Sequence, residues 1–447
     1  MNTLQRLRSA STAMWTGVGM AVVMMTLAAF RIGRSFGYDE GFTYFFFING
    51  GSVRRALTTQ IVFNNHPMFS AVQAAAWRLG FVGETPQRLG PAICAAATVG
   101  LVAWFVTRRS NWVAGCGAGV ILALNPLFLD QARQLRGYAL ATLMVTAAGL
   151  AVYESWTDER QRWLIVQGVC MTVAVSTHSF SAVTLLMFAA ASLALGRVER
   201  RHLLTWLTAA ITTLVIMAPV LDDMRANSAS RGTRYISVFP EFLARALTGW
   251  EWPVVWSTSL LVLVGSVSIC WRSRRHLAGT AAAAGVMVSV VVVLWQIVQP
   301  FDLYLRFFIS ITPIIAVVAG IGLAALPRPA AGGALLVIVA LLVPSTRDLL
   351  DVEPTVRDAA VVADRARAAG LELCGRNAEP LLVYTAPIRL INGVEDFEEC
   401  EAYVSVLGMN AAQRDAASAR FSGRFDLGGG ISIWSDESVI DALTNGL

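Results

Sequence analysis

The chain has 447 residues, 55% of them hydrophobic and 15% charged, with a mean hydropathy of +0.58. That balance excludes a soluble globular protein of this size, and the apolar residues come in blocks of the roughly 17–25 residues a bilayer demands. All 35 basic residues are arginine, as a GC-rich bacterial coding sequence would give, and the net charge of +5 says less than where those arginines fall.

In chain order, length and apolar content predict eleven membrane spans, near residues 13–31, 89–107, 112–129, 137–153, 163–178, 180–196, 203–221, 254–271, 277–298, 307–326 and 330–347. The first is long for a signal-peptide core and has no small-residue cleavage site after it. With the amino terminus inside, short basic clusters fall in the cytoplasm at Arg6/Arg8, Arg108-Arg109, Arg160/Arg162, Arg197/Arg200-Arg201, Arg272/Arg274-Arg275 and Arg328. Pro67–Phe81 is short and carries Gln73 and Arg78, so with Phe42–Phe63 it reads as interfacial helices on the outer surface. The first outer loop then runs from about Arg34 to Arg88 and the second from Asp222 to Trp252.

Beyond Arg347 the composition changes. Pro354–Ala369 has helical spacing, while Leu381–Tyr384 and Ile431–Trp434 read as strands. The expected architecture is an all-α polytopic membrane domain over 1–347 and a small extracytoplasmic α/β domain over 348–447. Cys374 and Cys400 can pair if that tail is extracytoplasmic, whereas Cys94, Cys116, Cys170 and Cys270 lie in or beside apolar spans as packing residues. The absence of a CxxC motif argues against structural zinc.

No span interior contains Asp, Glu, Lys, Arg or His, although ion-coupled transporters place such groups at mid-membrane. Ionisable residues gather instead at outer span ends and loops: Asp39, Glu40, His66, Glu84, Arg88, Asp130, Arg133, Arg136, His178, Asp302 and Arg306. A membrane–water boundary suits one lipid-borne and one water-borne reactant, which favours an interfacial transferase. No internal repeat supports a transporter built from inverted halves. The competing readings are a lipid-linked-sugar flippase or transporter and a non-catalytic envelope-assembly scaffold.

Several segments carry a family resemblance. Asp39-Glu40 follows the first span, Asn64-Asn65-His66-Pro67 opens a short helix, and Arg88-Leu89-Gly90-Pro91 opens the next span. Asp130-Gln131-Ala132-Arg133 precedes Tyr138, Thr177-His178-Ser179-Phe180 joins two spans, and Tyr304-Leu305-Arg306-Phe307 precedes Pro313. In order and spacing these resemble the C-type glycosyltransferases, in the branch of protein O-mannosyltransferases and lipid A aminoarabinose transferases. The resemblance implies a polyprenyl-phosphate sugar donor, inversion at the anomeric carbon and an extracytoplasmic site in a bacterial cytoplasmic membrane. It implies Asp39 as the base at the acceptor, and a cation near the lipid phosphate at His66-Pro67. Asn65 stands where some relatives carry an acidic metal ligand.

Inverting displacement needs a carboxylate behind the attacking oxygen, which gives Asp39 the role of base and leaves Glu40 to support it or hold a divalent metal. A leaving phosphate gains charge as the sugar bond breaks, so His66, Arg88, His178 and Arg306, with Tyr304 beside it, are candidates to bind it. Interfacial snorkelling and interhelical hydrogen bonds are the plain alternatives. Asp130, Arg133, Arg136 and Asn65 are candidates for the acceptor or sugar pocket, and Asp130 with Arg133 reads equally as a helix-end ion pair. Trp250, Trp252 and Tyr235 read as an aromatic belt. The expected partners are a polyprenyl-phosphate-sugar, a glycan, glycolipid or protein acceptor, and membrane lipids, with no nucleic acid.

Overall fold

A computed structural model describes residues 3–61, 65–156, 158, 160–224, 252–272, 305–351, 356–376, 378–385, 388–390, 400–406, 409, 411–428 and 431–444. The expected span at 277–298, Arg274, Arg275, Asp302, Tyr304, Tyr235 and Trp250 lie outside these residues. A long first helix, α1 (Thr3–Ala29), leads into a loop of short elements: α2 (Tyr38–Thr43), a π-turn (Tyr44–Ile48) and α3 (Val53–Thr58). Next come α4 (Pro67–Arg78), α5 (Glu84–Arg109), α6 (Trp112–Ala123), α7 (Pro126–Ala132) and α8 (Tyr138–Ser155). The bundle continues with α9 (Gln161–Thr177), α10 (Ser181–Ala194), α11 (Arg200–Met217) and α12 (Trp252–Arg272). It is completed by a 3-10 helix (Leu305–Ile311), α13 (Thr312–Ala325) and α14 (Arg328–Asp351).

The chain is a multi-pass membrane protein. Among the described residues six helices are long and apolar enough to cross a bilayer, seven if α6 and α7 count as one bent span. The expected span at 112–129 is bent, with α6 and α7 meeting at 68°. Asn125 Oδ1 accepts from Phe128 N–H at 3.0 Å as the cap of a new helix, and Pro126 occupies the first turn, where its missing N–H costs nothing. Helix α14 runs past residue 347, so the expected domain boundary falls inside an element.

Small residues let these helices approach backbone to backbone. A Cβ on Gly17 would lie 2.9 Å from the Gly100 carbonyl oxygen, and one on Gly322 would lie 2.1 Å from that of Leu261. At one end of the bundle Glu154 accepts from Arg108 and Arg109 at 3.1 and 2.9 Å. The other end carries the interfacial elements and the tail.

The tail is the expected α/β unit. Helix α15 (Val356–Ala368) precedes β1 (Leu373–Arg376), β2 (Arg389–Leu390), β3 (Ala402–Ser405), α16 (Ala411–Arg420), β4 (Gly423–Gly428), β5 (Ile431–Ser435) and α17 (Glu437–Thr444). The sheet order is β2-β1-β3-β5-β4, with β1 parallel to β2 and β3, and β5 antiparallel to both neighbours. Strand alternation sends Leu373, Val404 and Ile433 toward α15, and Cys374, Tyr403 and Trp434 to the opposite core with Phe421. A disulfide joins Cys374 to Cys400. The expected strand at 381–384 is instead a 3-10 helix, Glu379–Val383, because Pro380 in its first turn fixes a turn-forming φ.

Gly322→Ala should force α12 and α13 apart and lower the melting midpoint in detergent, a loss of about 1–3 kcal/mol. Gly19→Ala, with open space around its Cβ, should leave the midpoint unchanged.

Candidate active site

The site is built on α2. Gly37 caps it in an extended conformation, and Glu40, one turn in, reaches back to accept from Gly37 N–H at 2.9 Å. The same carboxylate takes Arg88 Nε–H at 2.7 Å, Arg88 Nη2–H at 2.8 Å and Leu135 N–H at 2.7 Å. The three remaining N–H bonds of Arg88 go to the carbonyls of Ile32 (2.9 Å), Ser35 (2.8 Å) and Arg34. Burial would raise the Glu40 carboxyl, and the Arg88 guanidinium overrules it, holding the group below its ordinary value. Two expectations are thereby corrected. Glu40, 2% exposed, is saturated by N–H donors and does not present an oxygen to a metal. Arg88, 1% exposed, has no N–H left for a phosphate.

Asp39 has different company. Arg306 Nη1 donates to its Oδ2 at 2.8 Å, and Arg136 Nη2 lies 3.9 Å from the same oxygen. Arg136 Nη1 also reaches Thr43 Oγ1 at 3.1 Å. Both guanidiniums sit near the ring of Tyr138, at 5.7 and 5.9 Å from its centroid. The side chains of Asp39 and Arg306 are 27% and 30% exposed, whereas that of Arg136 is 2% exposed. Burial pushes the Asp39 carboxyl up, the charges of Arg136 and Arg306 push it down, and the cations prevail, leaving it below 3.8.

His66 is held outside α4 by Pro67 in the first helical turn. Its Nδ1 lies 3.1 Å from the Thr177 carbonyl oxygen, so Nδ1 carries the hydrogen and the buried Nε2, which meets no hydrogen-bond partner among the described residues, is an acceptor. Burial, with Arg136 and His178 nearby, keeps the ring well below 6.5 and uncharged. This corrects the expectation of a cation here. Gly137 permits the contact, because a Cβ there would meet His66 Cβ at 2.7 Å and Thr177 Cγ2 at 2.8 Å. His178 completes the wall, 5.5 Å from His66 and 5.3 Å from Phe307, ring centre to ring centre.

The structure thus brings Asp39, Arg136, Arg306, His66 and His178 together around Tyr138. Three other candidates lie elsewhere. Asn65 donates to the Ala56 and Thr59 carbonyls at 2.7 Å each and accepts from Ser70 at 2.7 Å, which makes it a loop fastener with no group for a sugar or metal. Arg133 donates to the carbonyls of Leu349 (2.8 Å), Phe30 (3.3 Å) and Leu350 (3.3 Å), tying the ends of α1 and α14. Asp130 takes its hydrogen bonds from Gln131 (2.7 Å) and Gln134 (2.9 Å), and its expected partner Arg133 is engaged with main chain. Sequence reasoning missed Thr43 and Thr177, whose contributions come through ordinary hydroxyl and carbonyl groups. Among the described residues no three His, Cys, Asp or Glu side chains converge as a metal set.

Within the bundle an apolar cleft of about 200 Å³ is lined by Phe105, Val145, Tyr153, Phe188 and Pro313. Its wall includes Ser310, on the same 3-10 helix as Arg306.

Over residues 64–222 the chain matches the family model described as dolichyl-phosphate-mannose-protein mannosyltransferase. No curated protein matches the sequence. ArnT from Cupriavidus metallidurans bound to undecaprenyl phosphate is similar in structure, with a TM-score of 0.63, 14% identity, and coverage of 94% of this chain and 97% of that one. Its apo form gives 0.61 at 14% identity, covering 94% and 96%. Archaeal oligosaccharyltransferase AglB from Archaeoglobus fulgidus, in complex with an inhibitory peptide and a dolichol-phosphate, gives 0.56 at 11% identity, covering 98% and 75%. At these identities the likeness establishes the fold. In fold, and over residues 64–222 also in sequence, the chain is similar to these membrane glycosyltransferases.

Arg88→Lys replaces five donors by three and strands buried acceptors, so stability should fall by about 3–5 kcal/mol. Because the Glu40 and Asp39 carboxyls are depressed on folding, their contribution is complete above the ordinary carboxylate range and lost as pH falls through the depressed values. Melting curves against pH should therefore hold level down to about pH 4 in the parent, and Arg88→Lys should move the acid loss upward.

Proposed function

We propose that the protein transfers a sugar from a polyprenyl-phosphate carrier to a hydroxyl of an extracytoplasmic glycan, glycolipid or protein, with inversion at the anomeric carbon and Asp39 as base. The observation that carries this reading is one part-exposed carboxylate bonded to Arg306 with Arg136 behind it. An apolar cleft reaches Ser310, on the helix that bears Arg306, and would take part of an isoprenoid chain. The prenyl phosphates named in the ArnT and AglB structures support the donor class. An extracytoplasmic site is supported by the short basic cluster Arg108-Arg109, which lies at the bundle end opposite Asp39.

The reaction balances on these groups. The acceptor oxygen attacks the anomeric carbon, the bond from that carbon to the phosphate oxygen breaks, and the hydroxyl proton passes to Asp39. The bonding pair leaves with the prenyl phosphate, whose charge rises by one, and Arg306 and Arg136 bind that charge better as it develops. In the resting site Arg306 is bound to the carboxylate, which suppresses its basicity. A donor phosphate competes for the same guanidinium, and as Arg306 turns to it the Asp39 carboxyl rises toward its ordinary value. Binding of the donor thus arms the base.

Asp39→Asn should reduce transfer from a labelled prenyl-phosphate-sugar by at least about 100-fold per folded molecule, beyond the small fall in melting midpoint from the lost ion pair. Normal transfer by that variant would remove the base assignment, and acceptor-independent translocation of the donor in liposomes would favour a flippase. In the parent the acid limb of kcat/KM should lie below that of kcat, since only the donor complex has released Asp39 from Arg306. Arg306→Gln removes one lowering charge, so its kcat/KM limb should move to higher pH.

A further inference from the structure

We infer that Tyr384, from the carboxy-terminal domain, is a positioning residue for Asp39, an inference that rests on Asp39 being the base. Tyr384 Oη accepts from Phe36 N–H at 2.6 Å, three residues before Asp39. Its own O–H turns to the Glu84 carboxylate at the head of α5. Glu84 is ion-paired with Arg357 of α15, whose guanidinium lies 5.8 Å over the Tyr384 ring. That ring also packs 6.4 Å from Phe36, and Val383 and Tyr384 join the cluster of Phe36, Tyr44, Ile48, Phe69 and Leu135. On the other side of Gly37, Tyr38 packs on the core of the tail domain.

Residues 36–38 are therefore held from the tail, and Glu40 from the bundle through Arg88 and Leu135. Asp39 sits between these two grips. Arg88 also holds the carbonyls of Arg34 and Ser35 ahead of the turn, but it leaves the main-chain N–H of Phe36 untouched, and a catalytic group needs its direction held within about 10–20°. Tyr384 takes that N–H and adds the tail's hold on the near side. Burial holds its phenol protonated, so the link to Glu84 persists. The tail thereby acts on the chemistry without touching a reactant.

The test is Tyr384→Phe in the full chain, which keeps the ring and removes the oxygen. Asp39 faces Arg136, Arg306 and Thr43, while Tyr384 faces Glu84, Arg357 and Arg88. With its turn loosened Asp39 is less tightly held by the arginines. Expected are a fall in kcat of about tenfold, the size of one lost hydrogen bond, a donor KM within about twofold, and an acid limb of kcat/KM moved to higher pH. A wild-type kcat with an unmoved limb overturns the inference, as does a kcat that falls only in proportion to folded protein. If Tyr384→Phe does not fold, Arg357→Gln decides. Arg357 is half-exposed and away from Asp39, and its loss should shift both readouts in the same direction by about threefold or less. Parental behaviour in Arg357→Gln would then sink the assignment. An inactive Asp39→Asn beside a fully active Tyr384→Phe removes only the role of Tyr384, whereas an active Asp39→Asn removes the base itself.

Discussion

Arg88 commits all five of its N–H bonds inside the protein, two to Glu40 and three to the carbonyls of Ile32, Ser35 and Arg34. An ion pair this deeply buried adds little net stability over an apolar packing, but losing either member leaves a bare charge. The geometry it imposes matters more than its energy. The chain leaving α1 must pass Arg88, turn at Gly37 and enter α2 with Glu40 underneath, and every later feature of the site is measured from that turn.

From this fixed point two adjacent carboxylates diverge in chemistry. Glu40 is enclosed by four N–H donors and reports on nothing outside. Asp39 keeps partial exposure and shares its charge with the guanidiniums of Arg136 and Arg306. Desolvation works in the same direction on both, and the number and exposure of the cationic partners separate them. A neutral His66 beside them leaves the arginines to set the positive field of the site.

Much of the framework was legible because bilayer length and apolar content are strong signals, and because the loop after α1 was too polar in places to be a span. Asp39, Arg136, Arg306, His66 and His178 were legible as a set, since each is an ionisable group at a span end. Their division of labour was not. Arg88 and Arg306 look alike in sequence, and only the convergence of three carbonyls on Arg88 distinguishes its wholly internal guanidinium from the half-buried one at Asp39. The bend at Asn125-Pro126 had a local signature, an amide cap followed by proline, which the unbroken apolar run masked. At 381–384 a run of apolar residues suggested a strand, yet Pro380 just before it prevailed. Tyr384 carried no signal, because its partners are distant in the chain.

Arg133 joins the first and last described membrane helices through the main-chain oxygens of Phe30, Leu349 and Leu350. Such acceptors are indifferent to which side chains those positions carry. Drift along either helix therefore leaves the acceptors of that seam in place, and Arg31, which donates to the Asp351 carbonyl, fastens the same two ends by the same means.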